Sequence, residues 1–162
     1  MNLDNVLLAS PDTNFSATFT AELQQVTNIS KFAEEILVQY PWMLIVIAER
    51  QTTQASLDSI DVLQVTQTHL GYAELATLSE IQQLSLLRVS RHLGMLMFLW
   101  RDVLNQQSIE TSLDLVSRLA DTLIMQAYDF AYAGFEQRYG TPTDEHGRQE
   151  LYILGMGKLG GK

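Results

Sequence analysis

Hydrophobic positions along this chain recur at steps of three and four for most of its length, the period of an α-helix with one buried face. Phe19, Leu23 and Val26 set the first stripe and predict a helix from about Ser16 to Val26. Phe32, Ala33, Ile36, Leu37 and Tyr40 set a second, behind the cap-type residues Asn28 and Ser30. Pro41 disfavours a helical Tyr40 and suits the first turn of a third helix, Trp42 to Glu49. Ser56 to Leu70 carries Ile60 and Leu63 in register and is stopped by Gly71.

A capping box, Ser79-Glu80-Ile81-Gln82, opens a fifth helix that reaches about Leu104. Its first half has a one-sided stripe of Ile81, Leu84 and Leu87, while its second half is apolar nearly all round, which predicts burial. Thr111-Ser112-Leu113-Asp114 is a second cap signal. From it Leu113, Val116, Ala120, Leu123, Ala127, Phe130 and Gly134 alternate steps of three and four towards a stop at Gly140.

The ends read differently. The first dozen residues hold a Ser10-Pro11-Asp12 turn signal and no stripe. Thr141 to Gln149 reads as a polar loop, and only then does a β-like run appear, Leu151-Tyr152-Ile153-Leu154. The expected fold is therefore mainly α, a helical bundle of about six helices ending in one short orphan β-strand. A lone strand leaves its backbone N–H and C=O groups unpaired. The expectation is that its partners are encoded after Lys162, so that residues 1–149 form a helical domain and residues 150–162 the truncated start of another.

Composition narrows the function. The chain has 162 residues, 46% hydrophobic and 18% charged, the balance of a globular protein able to bury a core. Ten basic against nineteen acidic residues give a net charge of −9, which argues against non-specific nucleic-acid binding. One nucleotide could still bind, because local backbone N–H groups outweigh a distant net charge. The absence of cysteine excludes disulfides and thiolate zinc sites. The N-terminus lacks a basic and apolar export signal, and the apolar runs Trp42 to Ala48 and Leu93 to Trp100 fall far short of the ~20 residues that span a bilayer. A soluble cytoplasmic protein is expected, without membrane contact.

The chemistry-bearing segment is the last one. Gly155-Met156-Gly157-Lys158-Leu159-Gly160-Gly161-Lys162 places four glycines in seven positions directly after the apolar tetrad. Such density, with a lysine inside it, suits a backbone that approaches a phosphate closely. Gly155-x-Gly157-x-x-Gly160 matches the dinucleotide fingerprint literally, but the following helix, second strand and acidic residue are not in the chain. The P-loop pattern fails, because Gly161 stands where it needs lysine.

Other candidates are weaker. His69, His92 and His146 show no ligand spacing, and Glu34-Glu35, Asp58 with Asp61, and Asp144-Glu145 read as solvated carboxylates. Arg88 and Arg91 share a helix face, and Arg101-Asp102 follows the apolar stretch. These arginines either tie neighbouring helices to carboxylates or form a basic ridge for an anionic ligand or partner.

Leu154-Gly155-Met156-Gly157-Lys158-Leu159-Gly160-Gly161 resembles the start of the nucleotidyltransferase signature in the glutamine synthetase adenylyltransferase family, bifunctional enzymes that add and remove adenylyl groups. Leu87-Arg88 with Arg91, Trp100-Arg101-Asp102-Val103-Leu104, Leu119-Ala120-Asp121-Thr122-Leu123-Ile124 and Tyr139-Gly140-Thr141-Pro142 agree with it, and Ser30-Lys31-Phe32 with Tyr40-Pro41 does so more loosely. The resemblance spans roughly residues 28 to 162. The chain departs from it where His92-Leu93-Gly94 replaces further arginines, and in lacking the metal-holding Asp-x-Asp, which the family carries after Glu-Leu-Asn.

The resemblance implies a fragment from the adenylyl-removing half, acting on a tyrosine of glutamine synthetase with phosphate as nucleophile and ADP as product. Residues 150–162 would begin the nucleotidyltransferase domain, with Gly155, Gly157, Lys158, Gly160 and Gly161 binding nucleotide. It also implies magnesium in the full-length enzyme and none held by this fragment, which would be inactive alone. The implied partners are glutamine synthetase, the PII signal protein, ATP or ADP, and phosphate. Two other readings stay open: a truncated dinucleotide-binding oxidoreductase and a non-catalytic helical interaction module.

Overall fold

The computed structural model describes residues 15–53 and 59–155, with side chains placed for 15–50 and 62–155. The Ser10-Pro11-Asp12 turn and the expected helix start at Ser56 lie outside the described residues. Among the described residues there are six α-helices, as the stripes predict: α1 (Ala17–Ile29), α2 (Lys31–Gln39), α3 (Trp42–Thr53), α4 (Ser59–His69), α5 (Glu80–Val103) and α6 (Ile109–Tyr139). A short 3₁₀ turn, Leu75–Thr77, precedes α5.

Serines set four of the helix starts. The Ser16 Oγ accepts the Phe19 N–H at 3.1 Å and opens α1. Ser30 ends α1 and begins α2: its N–H donates to the Val26 carbonyl and its Oγ accepts the Ala33 N–H. Asn28, the other expected cap, lies inside α1. At α5 the capping box forms in full, with the Gln82 N–H donating to the Ser79 Oγ and the Ser79 N–H to the Gln82 Oε1.

The start of α6 differs from its sequence signal. Ser108 caps it, three residues before Thr111, and accepts the Thr111 N–H at 3.2 Å. Ser112 is instead turned inwards, where its hydroxyl donates to Asp102 of α5 and accepts from the Gln107 Nε2 at 2.8 Å. That contact brings Ser112, Leu115, Leu119 and Leu123 to the α5 side, while Leu113 is left 63% exposed. The buried seam is thus rotated from the expected stripe at its N-terminal end. At the other end Gly140, with φ +84°, closes the helix by donating to the Glu136 carbonyl at 2.8 Å.

The core gathers Leu23 of α1, Leu37 of α2, Met43 and Leu44 of α3, and Leu93, Leu96 and Trp100 of α5. Trp100 is 1% exposed and stacks on Phe19 with ring centres 5.3 Å apart. The predicted burial of the second half of α5 is seen in Leu93, Gly94, Leu96, Met97, Phe98 and Trp100. Gly94 lets α6 come close: a Cβ there would stand 2.6 Å from the Leu119 Cδ2.

Beyond Gly140 the chain forms a small hairpin, β1 (Thr143–Asp144) and β2 (Gly147–Arg148), paired Thr143 to Arg148 and Asp144 to Gly147. It lies within the segment read as a polar loop. The His146 N–H donates to the Asp144 Oδ1 at 2.7 Å, and Gly147 takes φ +114°, so the Asp144-Glu145-His146-Gly147 turn is locally encoded. Leu151 to Leu154, expected as a strand, has no regular structure and is largely exposed. Its β-forming composition has no neighbouring strand among the described residues to pair with. No helix among the described residues is long and apolar enough to cross a membrane.

Candidate functional site

The chain reaches its glycine-rich end from a fixed point on α6. Tyr132, two turns before the end of that helix, holds the strand that leads out of the hairpin. Its hydroxyl accepts from the Arg148 Nε at 3.0 Å and donates to the Gln149 carbonyl at 3.3 Å. The Arg148 guanidinium lies over the Tyr132 ring, 4.5 Å from its centre. The hydrogen bond to Tyr132 raises the arginine's pKa above its ordinary value. The Gln149 N–H donates to the Pro142 carbonyl at 2.8 Å, and the Thr141 hydroxyl meets the Glu136 carboxylate at 2.6 Å.

From this clasp Leu151 to Gly155 run outwards into solvent. Gly155 is the one expected nucleotide-binding residue within the described part, and it is exposed; Gly157, Lys158, Gly160 and Gly161 lie outside the described residues. Neither Tyr132 nor Arg148 carries a sequence signal for this role. Their contact spans sixteen residues and joins a helix to a hairpin that reads as a loop. The Asp144-to-Gly147 turn residues are the clue that could have placed Arg148 opposite α6.

The other candidates are scattered. His69 stacks on Trp42 at 4.3 Å, and His146 is exposed beside Glu145 at 3.5 Å. His92 of α5 packs against α2, its ring 6.1 Å from that of Phe32 and 6.2 Å from that of Tyr40, with its Nδ1 buried and unpartnered. Burial first, then the charges of Arg91 and Arg88, lower its pKa below the usual histidine value. Arg88 and Arg91 are exposed, and among the described residues neither shows an ion pair to a neighbouring helix.

The carboxylates read as solvated are for the most part that: Glu35 pairs with Lys31 along its own helix, and Asp144 and Glu145 serve the hairpin turn. The side chains of Asp58 and Asp61 lie outside the described residues. Asp102 is spent internally, accepting from Ser112 and Gln107 across the α5–α6 turn. Among the described residues no cluster of His, Asp and Glu is arranged to hold a metal ion. An open groove of about 590 Å³ runs between the start of α5 and the end of α6, lined by Leu84, Leu87, Ala127, Phe130 and Phe135.

Comparison with known proteins sets this geometry in context. The family model for glutamate-ammonia ligase adenylyltransferase matches residues 20–162, the helices and the glycine-rich end together. The chain belongs to that family. It is 36% identical over 144 residues to a bifunctional glutamine synthetase adenylyltransferase/adenylyl-removing enzyme of Shewanella loihica, covering 88% of this chain and 14% of that protein. It is 36% identical over 151 residues to the enzyme so named from Shewanella frigidimarina, covering 93% and 15%. A match to the Alteromonas mediterranea enzyme is 48% identical over 84 residues, covering 52% and 8%. The chain thus spans only 14–15% of the length of the first two relatives. No solved structure matches it. Within this adenylyltransferase family match, the described residues comprise the six helices and the hairpin that precede the glycine run.

Proposed function

We propose that this chain is the helical leader of the adenylyl-removing half of a glutamine synthetase adenylyltransferase. Residues 1–149 are the helical domain and residues 150–162 open the nucleotidyltransferase domain. One observation carries the reading: the glycine run follows directly on an apolar tetrad inside the family match. The relatives' name, which pairs adenylyl transfer with adenylyl removal for glutamine synthetase, supports the same substrate here.

In the proposed reaction an oxygen of inorganic phosphate attacks the phosphorus of an adenylylated tyrosine. The new P–O bond gives ADP, the bond to the tyrosine oxygen breaks in line, and that oxygen takes up a proton. The share of this chain's residues is electrostatic. Backbone N–H groups at Gly155, Gly157, Gly160 and Gly161 would donate to phosphate oxygens, and Lys158 would offset their charge. Gly160 and Gly161 would be the close-approach pair, where any side chain would come between backbone and phosphate. The described residues do not provide a magnesium site, and the Asp-x-Asp implied by the resemblance falls after Lys162, so no step through a metal is assigned to this chain. Glutamine synthetase, PII, adenine nucleotides and phosphate are the partners, in the cytoplasm.

The test compares two polypeptides on adenylylated glutamine synthetase with inorganic phosphate, reading ADP release. The full-length protein should release ADP, and the 162-residue polypeptide should not, because its sequence lacks the Asp-x-Asp that the resemblance implies for the metal. Phosphate-dependent release by the 162-residue polypeptide, or none by the full-length protein, would contradict the proposal.

A further inference from the structure

The apolar stripes of α5 and α6 continue past the point where their burial stops. Leu86 is buried, but Leu84, one turn earlier on α5's other apolar stripe, is 57% exposed, and Ile81 is exposed as well. On α6 the stripe runs on from half-buried Leu123 to Ala127, Phe130 and Gly134, and Phe135 beside it is 63% exposed. These two open ends face each other across the groove of about 590 Å³. We infer that the groove is an interface within the full-length protein, covered by the nucleotidyltransferase domain that residues 150–162 open; this rests on the nucleotidyltransferase reading of that segment.

Gly134 shows that something packs closely there. A glycine inside a helix costs stability relative to alanine, so it needs a use. At Gly94 the use is visible, since a Cβ would stand 2.6 Å from Leu119; at Gly134 a Cβ would meet nothing within 4 Å. The same device is present in the groove wall, with no described residue seated on it. Reach identifies the occupant. The Gln149 carbonyl accepts from the hydroxyl of Tyr132, which stands between the groove-lining Ala131 and Ala133. Fully extended, the five residues Glu150 to Leu154 carry the chain only roughly 17 Å further. The next domain therefore begins beside the groove, on a tether that presents it at an effective concentration on the order of millimolar, far above that of a dilute second copy. The family's polypeptide is long enough to supply the cover, since this chain spans 14–15% of two relatives.

The experiment uses the full-length protein and hydroxyl-radical labelling of side chains, with ADP release from adenylylated glutamine synthetase measured in parallel. Phe135 should be labelled as little as buried Phe98, and Leu84 as little as buried Leu96. Gly134→Trp should displace the cover and raise labelling at both. A photo-crosslinker, p-benzoylphenylalanine in place of Phe135, should join to the polypeptide after Lys162 of the same molecule, and it needs no disruptive variant. Labelling of Phe135 and Leu84 well above their buried references, labelling that Gly134→Trp leaves low, or crosslinks between two copies would each overturn the inference. If ADP is still released, the nucleotidyltransferase reading survives that failure. A wild-type protein without ADP release would remove that reading, and with it the occupant named here, even if the groove were covered.

Discussion

His92 carries the clearest pH signature of any single residue described. It is wedged against Phe32 and Tyr40, its Nδ1 has no partner, and Arg88 and Arg91 lie on the same helix. Burial first, then the charges of Arg91 and Arg88, favour the neutral ring, and its folded pKa is accordingly lowered from 6.5. The sign follows from proton counting. Below about pH 6.5 the unfolded chain takes up a proton that the folded chain resists, so stability is full above that pH and falls as the pH drops towards the folded pKa. The urea midpoint should be flat from pH 8 to 7 and decline below 6.5, and His92→Gln should flatten the decline. An equal decline in the variant would show that another group is responsible. Neither the lowered pKa nor the aromatic neighbours were legible in the sequence, where His92 is one of three scattered histidines, because Phe32 and His92 meet only after α2 folds onto α5.

At the scale of elements, local signals carried the helices and tertiary contacts decided the exceptions. Ser16, Ser30, Ser79 and Gly140 act where they stand because a cap is a contact within one turn. The start of α6 needed more: Ser108 and Thr111 are both cap-type residues, and the choice falls with the Asp102–Ser112 contact from another helix. The β1–β2 hairpin escaped because two-residue strands have no room for alternation, and Leu151 to Leu154 has strand composition without a partner.

The α5–α6 pair depends on Gly94, whose missing Cβ makes room for the side chain of Leu119. Gly94→Ala gains about 1 kcal/mol of helix propensity but forces overpacking worth about 1–3 kcal/mol, and Leu119 is too buried to yield freely. The variant should be less stable than the parent by about 1 kcal/mol. In a Leu119→Ala background the same change should become neutral or stabilising by denaturant titration. Equal effects in the two backgrounds would show that the contact does not limit the packing.

Across the described residues the core and the approach to the glycine run sit apart. The buried residues run from Phe19 to Leu119, whereas the described segment from Gly140 to Gly155 is exposed throughout. What joins them is α6, packed through Leu115, Leu119 and Leu123 and carrying Tyr132 beyond its packed half. The glycine run stands out in the sequence because its residue types are unusual wherever they fall, and all of it beyond Gly155 lies outside the described residues. The contact between Tyr132 and Arg148 was not legible, since the two residues follow no period. Under the proposed function the ligand of that end is a nucleotide, and the net charge of −9 favours this over a nucleic acid.

The central claim is that this end opens an adenylyl-removing site, and Gly160→Val and Gly161→Val in the full-length protein test it most directly. With kcat/KM read from ADP release on adenylylated glutamine synthetase, each change should cost at least about 100-fold, because a side chain displaces the backbone from the phosphate. The helical melting transition should stay where it is. Wild-type rates in both variants would contradict the account.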